Sequence, residues 1–142
     1  MISTSVRIAA PPGVVFPYFT DPRLMVTWIG DRVDLDARPG GRFAIDFSGV
    51  AARGSYVEVE PPHRVVFTWG IPDDPAMPSG SSTVEVDLVA DGDDTIVNLT
   101  HRDLPEDREP SHLEGWERCL GELVAAPLRR RDPGGRSYPP AE

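Results

Sequence analysis

The residues of this 142-residue chain whose types could carry chemistry are few: His63, His101 and His112, the single Cys119, and the acids Asp103, Glu106, Asp107 and Glu109. His101 and His112 bracket that acidic stretch, so a metal site can be sketched there. A metal needs ligands at tight spacing, which the stretch lacks, so neither a metal nor a cofactor is expected. His101 ends Leu99-Thr100-His101 on the parity of Val97 and Leu99 and should point inward, near the mouth of any pocket; the plainer expectation is a histidine bonded to a backbone carbonyl at a sheet edge. His63, in the turn EPPHR, is expected in solvent. His112 falls on the buried side of a helix start. Cys119 has no cation that the sequence places beside it, so it is expected as a small apolar filler. Asp46 and Glu58 alternate with the apolar residues of their strands and should be solvated. Tyr56 shares the parity of Glu58 and should face outward unless a bulge intervenes. There is no nucleophile elbow, and PGG at 39–41 is a turn rather than a phosphate-cradling loop.

The aromatic residues are the stronger signal. If strand parities hold, Trp28, Phe43, Phe47, Phe67, Trp69 and Trp116 converge between a sheet and a helix, where they would fill the core, line an apolar site, or both. The helix is SHLEGWERCLGELVAAPL, residues 111–128. Ser111 and Glu114 suggest a capping box at its start. Steps of about 100° per residue put Leu113, Trp116, Leu120, Leu123 and Val124 on one apolar stripe and Gly121 on the solvent side. Gly115 falls at the edge of the buried arc, beside His112, Cys119 and Ala126. Either another backbone presses closely on that small-residue flank, or the flank lines a cavity.

The elements that must position these residues follow from periodicity. Ile2, Thr4, Val6 and Ile8 alternate as a first strand, stopped by Pro11-Pro12-Gly13. Two short helices follow, one from about Pro12 to Phe19 and one from Asp21, as N-cap before Pro22, to Trp28. Six strands are then expected at 33–37, 42–47, 54–60, 64–69, 82–90 and 94–101, forming a meander with one apolar face. The segment IPDDPAMPSGS, 71–81, should be an ordered or mobile loop and not a linker between domains. The one long amphipathic helix must cover the apolar face.

Length suits one domain, taken as 1–128, with RRRDPGGRSYPPAE at 129–142 expected to be a disordered tail. The chain has 23 acids against 14 bases, all of them arginine, for a formal charge of −9; through Leu128 it carries 21 acids and 10 bases, or −11. That balance argues against nucleic acid and anionic membrane surfaces as partners. The N-terminus MISTSVRIAAPPGVVF matches neither a signal peptide nor a membrane span, so no membrane insertion is expected. The lone cysteine suits a reducing compartment, and a cytoplasmic location is expected.

Taken in order, Val15-Phe16, TDPRLMVTW at 20–28, PGGRF at 39–43, GSYVEVEPPHRVVFTW at 54–69, STVEVDL at 82–88, DTIVNLTHRDL at 94–104 and GWERCLGEL at 115–123 carry a family likeness. Over roughly residues 3–128 the chain resembles the domain named after the activator of heat shock protein 90 ATPase, within the START-like, birch-pollen-allergen-like helix-grip superfamily. The resemblance implies an α+β helix-grip fold: a curved antiparallel sheet of about seven strands, two short helices after the first strand, and a long C-terminal helix on the concave face. It also implies a cavity that, in related families, holds apolar molecules. Some relatives bind or carry, some cyclise or dehydrate polyketide chains, and the namesake stimulates a chaperone ATPase with the help of a further N-terminal domain.

The first expectation is therefore a non-catalytic protein binding a small, mainly apolar molecule, with Trp28, Phe43, Phe67, Trp69, His101, Trp116 and Cys119 as wall residues. The alternatives are an aromatase- or cyclase-like enzyme in which a group such as His101 moves a proton, and a protein-interaction module whose partner is a chaperone or a second copy of the chain.

Overall fold

The computed structural model describes residues 1–126. The tail expected at 129–142, and the last two residues of the expected domain, lie outside them. Strand β1 (Ile2–Ile8) is followed by α1 (Pro12–Val15), which runs into a 3-10 turn at Phe16–Phe19, and by α2 (Pro22–Met25). Pro12 and Pro22 each open a helix where a missing N–H costs nothing, and the Asp21 side chain accepts the Arg23 N–H at 2.9 Å as the expected cap. The other strands are β2 (Arg32–Leu35), β3 (Arg42–Phe47), β4 (Val50–Glu60), β5 (Arg64–Trp69), β6 (Ser82–Asp91) and β7 (Asp94–Arg102). A 3-10 turn at Glu106–Arg108 then leads into the long helix α3 (Glu109–Ala125).

All seven strands form one antiparallel sheet in the order β1-β7-β6-β5-β4-β3-β2, so β2 to β7 run as a meander and β7 ends beside β1. The curved sheet holds α3 in its palm, with Trp116, Leu120 and Leu123 of the helix buried against it. At one end the Met1 amino group pairs with the Glu109 carboxylate, joining β1 to the start of α3.

Four expectations are corrected. The first is that β4 begins at Val50, not Gly54: Phe47 pairs with Val50 across a two-residue turn in which Ser48 (φ 49°) and Gly49 (φ 80°) both take positive φ, the geometry that matches hairpin twist. The second concerns Tyr56, which is buried. The register of β4 against β5 shifts between Tyr56 and Glu58, so Tyr56 turns inward while Val57 faces solvent. Its hydroxyl donates to the Phe19 carbonyl at 2.8 Å, and burial alone holds its pKa well above the usual phenol value. The third is the capping box at Ser111. The 3-10 turn already coils the chain, Pro110 lies in the first turn of α3, and the Ser111 hydroxyl instead donates back to the Arg108 carbonyl at 3.2 Å. The last is Val124, which is 44% exposed and not on the buried stripe.

The 71–81 loop is pinned at both ends of its turn. Ile71 N–H donates to the Met77 carbonyl at 2.7 Å, Met77 is fully buried, and the Asp74 carboxylate takes the Arg108 guanidinium at 2.7 Å. That ion pair fastens the loop to the foot of α3 and holds the Asp74 carboxyl below its usual range.

Candidate functional site

The small flank of α3 borders a cleft of about 440 Å³, inside the roughly 300–1,000 Å³ range of small-molecule sites. Gly115 is on its wall, and a Cβ added there would meet nothing within 4 Å, so no backbone presses on this side of the helix. Of the residues named from sequence as wall residues, Trp28, Trp69, Trp116 and Cys119 line the cleft. Phe43 and Phe67 do not: they stack on each other with centroids 4.0 Å apart, deep in the core, and Tyr56 packs edge-on against Phe43 at 5.6 Å. His101 is also absent from the wall, being fully buried behind Trp69 and Trp116.

Three tryptophans line the cleft, and each indole N–H already has a hydrogen-bond partner within the protein. Trp28 donates to the Tyr18 carbonyl at 2.9 Å, Trp69 to His112 Nε2 at 3.3 Å, and Trp116 to His101 Nδ1 at 3.0 Å. The rings of Trp69 and Trp116 lie 5.1 Å apart, and Phe47 stacks on the other side of Trp69 at 6.1 Å. With its donors satisfied internally, this wall meets a ligand with apolar and π surface.

His101, behind the wall, and His112, on it, both have assignable tautomers, because an indole N–H can only donate. His101 Nδ1 must accept from Trp116, so its proton sits on Nε2, which donates to Ser82 Oγ at 2.8 Å; the Ser82 hydroxyl in turn donates to the Trp69 carbonyl at 2.6 Å. His112 is the reverse: Nε2 accepts from Trp69, and Nδ1–H donates to the Arg108 carbonyl at 3.0 Å. Both rings are neutral. Burial, helped by nearby His112, pushes His101 down to about 3, and burial lowers His112 as well. The expected bond from His101 to a backbone carbonyl at a sheet edge is thus corrected. Strand β7 lies between β1 and β6, so its own backbone is already paired and the ring bonds to side chains. With both nitrogens engaged and no exposure to the cleft, His101 has no free lone pair with which to take a substrate proton.

Cys119 is half-buried on the wall, and burial raises its thiol above the ordinary value, which disfavours the reactive thiolate. Among the described residues no group of three or more His, Cys, Asp or Glu could hold a metal ion, and no helix is long and apolar enough to cross a membrane. The rim is polar, with Asp31, Ser48, Ser111, Arg118 and Glu122 around the mouth. Ile29, Gly30, Phe47, Val50, Ile71 and His112 complete the wall. Of these, Phe47 was visible in the aromatic convergence and His112 in the flank beside Gly115. Ile71 sits in an irregular loop and has no periodicity to betray it.

The family model described as activator of Hsp90 ATPase homolog 1-like protein matches residues 9–126. Among solved structures, the chain is similar to an AHSA1-like protein from Rhizobium etli at 39% identity, covering 87% of this chain and 81% of that one, with a TM-score of 0.64. It is similar to CalU16 from Micromonospora echinospora at 31% identity, covering 87% and 73% of the two chains, with a TM-score of 0.74. An HSP90 activator from Plasmodium falciparum shares the fold at 24% identity, covering 87% and 93%, with a TM-score of 0.71. No curated protein matches the sequence.

Proposed function

The chain belongs to the activator of Hsp90 ATPase homolog 1-like family, and from that premise we propose that it binds a small, mainly hydrophobic molecule in the cleft between the sheet and α3. The observation that carries this reading is the combination at one place of a void beside Gly115 and three tryptophans whose N–H groups are all satisfied within the protein. A helix with two glycines forgoes roughly 1 kcal/mol at each relative to alanine. At Gly115 the missing side chain leaves room where a ligand would lie. Trp28, Trp69, Trp116 and Cys119 are the proposed contacts. Phe43, Phe67 and His101 support the wall from behind.

The engaged nitrogens of His101 weigh against the cyclase-like alternative in the form that used this residue as proton carrier. The likeness to the HSP90 activator is one of fold, and the chaperone reading stays as an outcome of the test. Native mass spectrometry on gently purified protein, followed by denaturation and identification of what is released, is that test. A stoichiometric apolar compound is expected. An empty protein that also fails to take up apolar probes, yet retains a chaperone in a pull-down, would move the function to protein interaction.

A further inference from the structure

We infer that the ligand of this cleft carries an organic cation, such as a protonated amine, on its apolar body, and that Asp31 and Glu122 receive it at the mouth. The inference rests on the ligand-binding reading above and adds a charge class to it.

Asp31 is a built carboxylate. Gly30, at φ 84°, turns the chain sharply after Trp28-Ile29, and any Cβ there would sit 2.6 Å from Ile45 Cγ2, so the turn requires glycine. The turn brings Asp31 N–H to the Asp46 carbonyl at 2.7 Å and Asp31 Oδ2 to the Ser48 N–H at 3.0 Å. The β3–β4 hairpin, with Ser48 itself at φ 49°, thus holds the side chain in place at the lip of the cleft. Oδ1 is left with no hydrogen-bond partner among the described residues, and neither Asp31 nor Glu122 makes an ion pair there. Asp34 and Asp74, by contrast, are already taken by Arg42 and Arg108, whereas the two acids on this cleft keep their charge for an incoming group.

The one cation on the rim, Arg118, is mostly exposed and lies 4.0 Å from Glu114, one turn back along the solvent side of α3. Trp28, Trp69 and Trp116 line the same cleft as the two acids, and an indole π face attracts a cation and repels an anion. The charge of −11 on the chain through Leu128 acts in the same direction over longer range. A fatty acid or other anionic amphiphile would meet two carboxylates and an acidic field at this mouth. An amine-bearing apolar molecule meets complementary charge.

Three probes with one bicyclic body separate the possibilities: 2-naphthylmethylammonium, 2-naphthylmethanol and 2-naphthoate, titrated by calorimetry at low salt. The ammonium probe is expected to bind about tenfold or more tighter than the naphthoate, with the gap shrinking as salt rises. Asp31→Asn keeps an acceptor for the Ser48 N–H, and in it and in Glu122→Gln the ammonium-to-alcohol affinity ratio should fall by about threefold or more. Equal or tighter binding of the naphthoate, or a ratio unchanged in both variants, would overturn the inference while alcohol binding left the cleft reading standing. Failure of all three probes would remove both.

Discussion

At the scale of single residues, the chemistry of this molecule is that of neutral rings held by their hydrogen bonds. His101 and His112 each spend their one acceptor on an indole N–H, so a proton arriving on either ring has to displace a tryptophan. The consequence is a pH-dependent stability whose sign is fixed. The folded pKa of His101, about 3, lies below the ordinary value near 6.5, so the unfolded chain takes up the proton first. Its contribution is complete above about pH 6.5 and is lost as pH falls from there toward 3, at no more than about 1.4 kcal/mol per pH unit for one proton. His112, also lowered, adds in the same direction. Urea midpoints followed by tryptophan fluorescence at pH 7, 6 and 5 should therefore decline. His101→Gln should cost about 1–3 kcal/mol at pH 7 by unsettling Trp116 and Ser82, and should flatten that decline. A decline as steep in the variant as in the parent would refute the assignment. Sequence placed His101 inward correctly from the parity of Val97 and Leu99. It could not place it behind the tryptophans, because parity says which face a side chain takes and not how deep it lies.

At the scale of elements, α3 shows what patterning reveals and what it hides. The 3.6-residue period puts Trp116, Leu120 and Leu123 on the buried face and marks the small flank at Gly115 from sequence alone. It missed the true helix start, because the 3-10 turn at Glu106–Arg108 and Pro110 supply a beginning that competes with the Ser111 capping pattern. Tyr56 was missed for a related reason. A bulge adds one residue to β4 and reverses parity, and nothing in GSYVEVE announces it. The two helical glycines lead to a prediction at this scale. Neither 115 nor 121 has any atom within 4 Å of an added Cβ, so Gly115→Ala and Gly121→Ala should each stabilise the protein by about 1 kcal/mol. Chemical denaturation of the two variants measures this, and a loss of stability at 115 would mean that the flank is closed by a neighbour.

At the scale of the whole molecule, the meander order and the helix in its palm were readable from strand spacing together with the family likeness, since a single long amphipathic helix has only one apolar sheet face to cover. The cleft itself was readable only as an alternative to close packing. Sequence names the aromatic residues that converge, but whether they meet or stand apart depends on side-chain geometry. Phe43 and Phe67 meet, while Trp28, Trp69 and Trp116 leave about 440 Å³ between themselves and the rim. The central claim is that this space holds an apolar ligand, and the two glycines of α3 offer a matched pair to test it. N-phenyl-1-naphthylamine, a neutral fluorescent probe, should be titrated into the parent, Gly115→Leu and Gly121→Leu. Saturable one-to-one binding is predicted for the parent and for Gly121→Leu, whose side chain enters solvent, with affinity at least about tenfold weaker in Gly115→Leu, whose side chain enters the cleft. Undiminished binding in a folded Gly115→Leu protein would contradict the account.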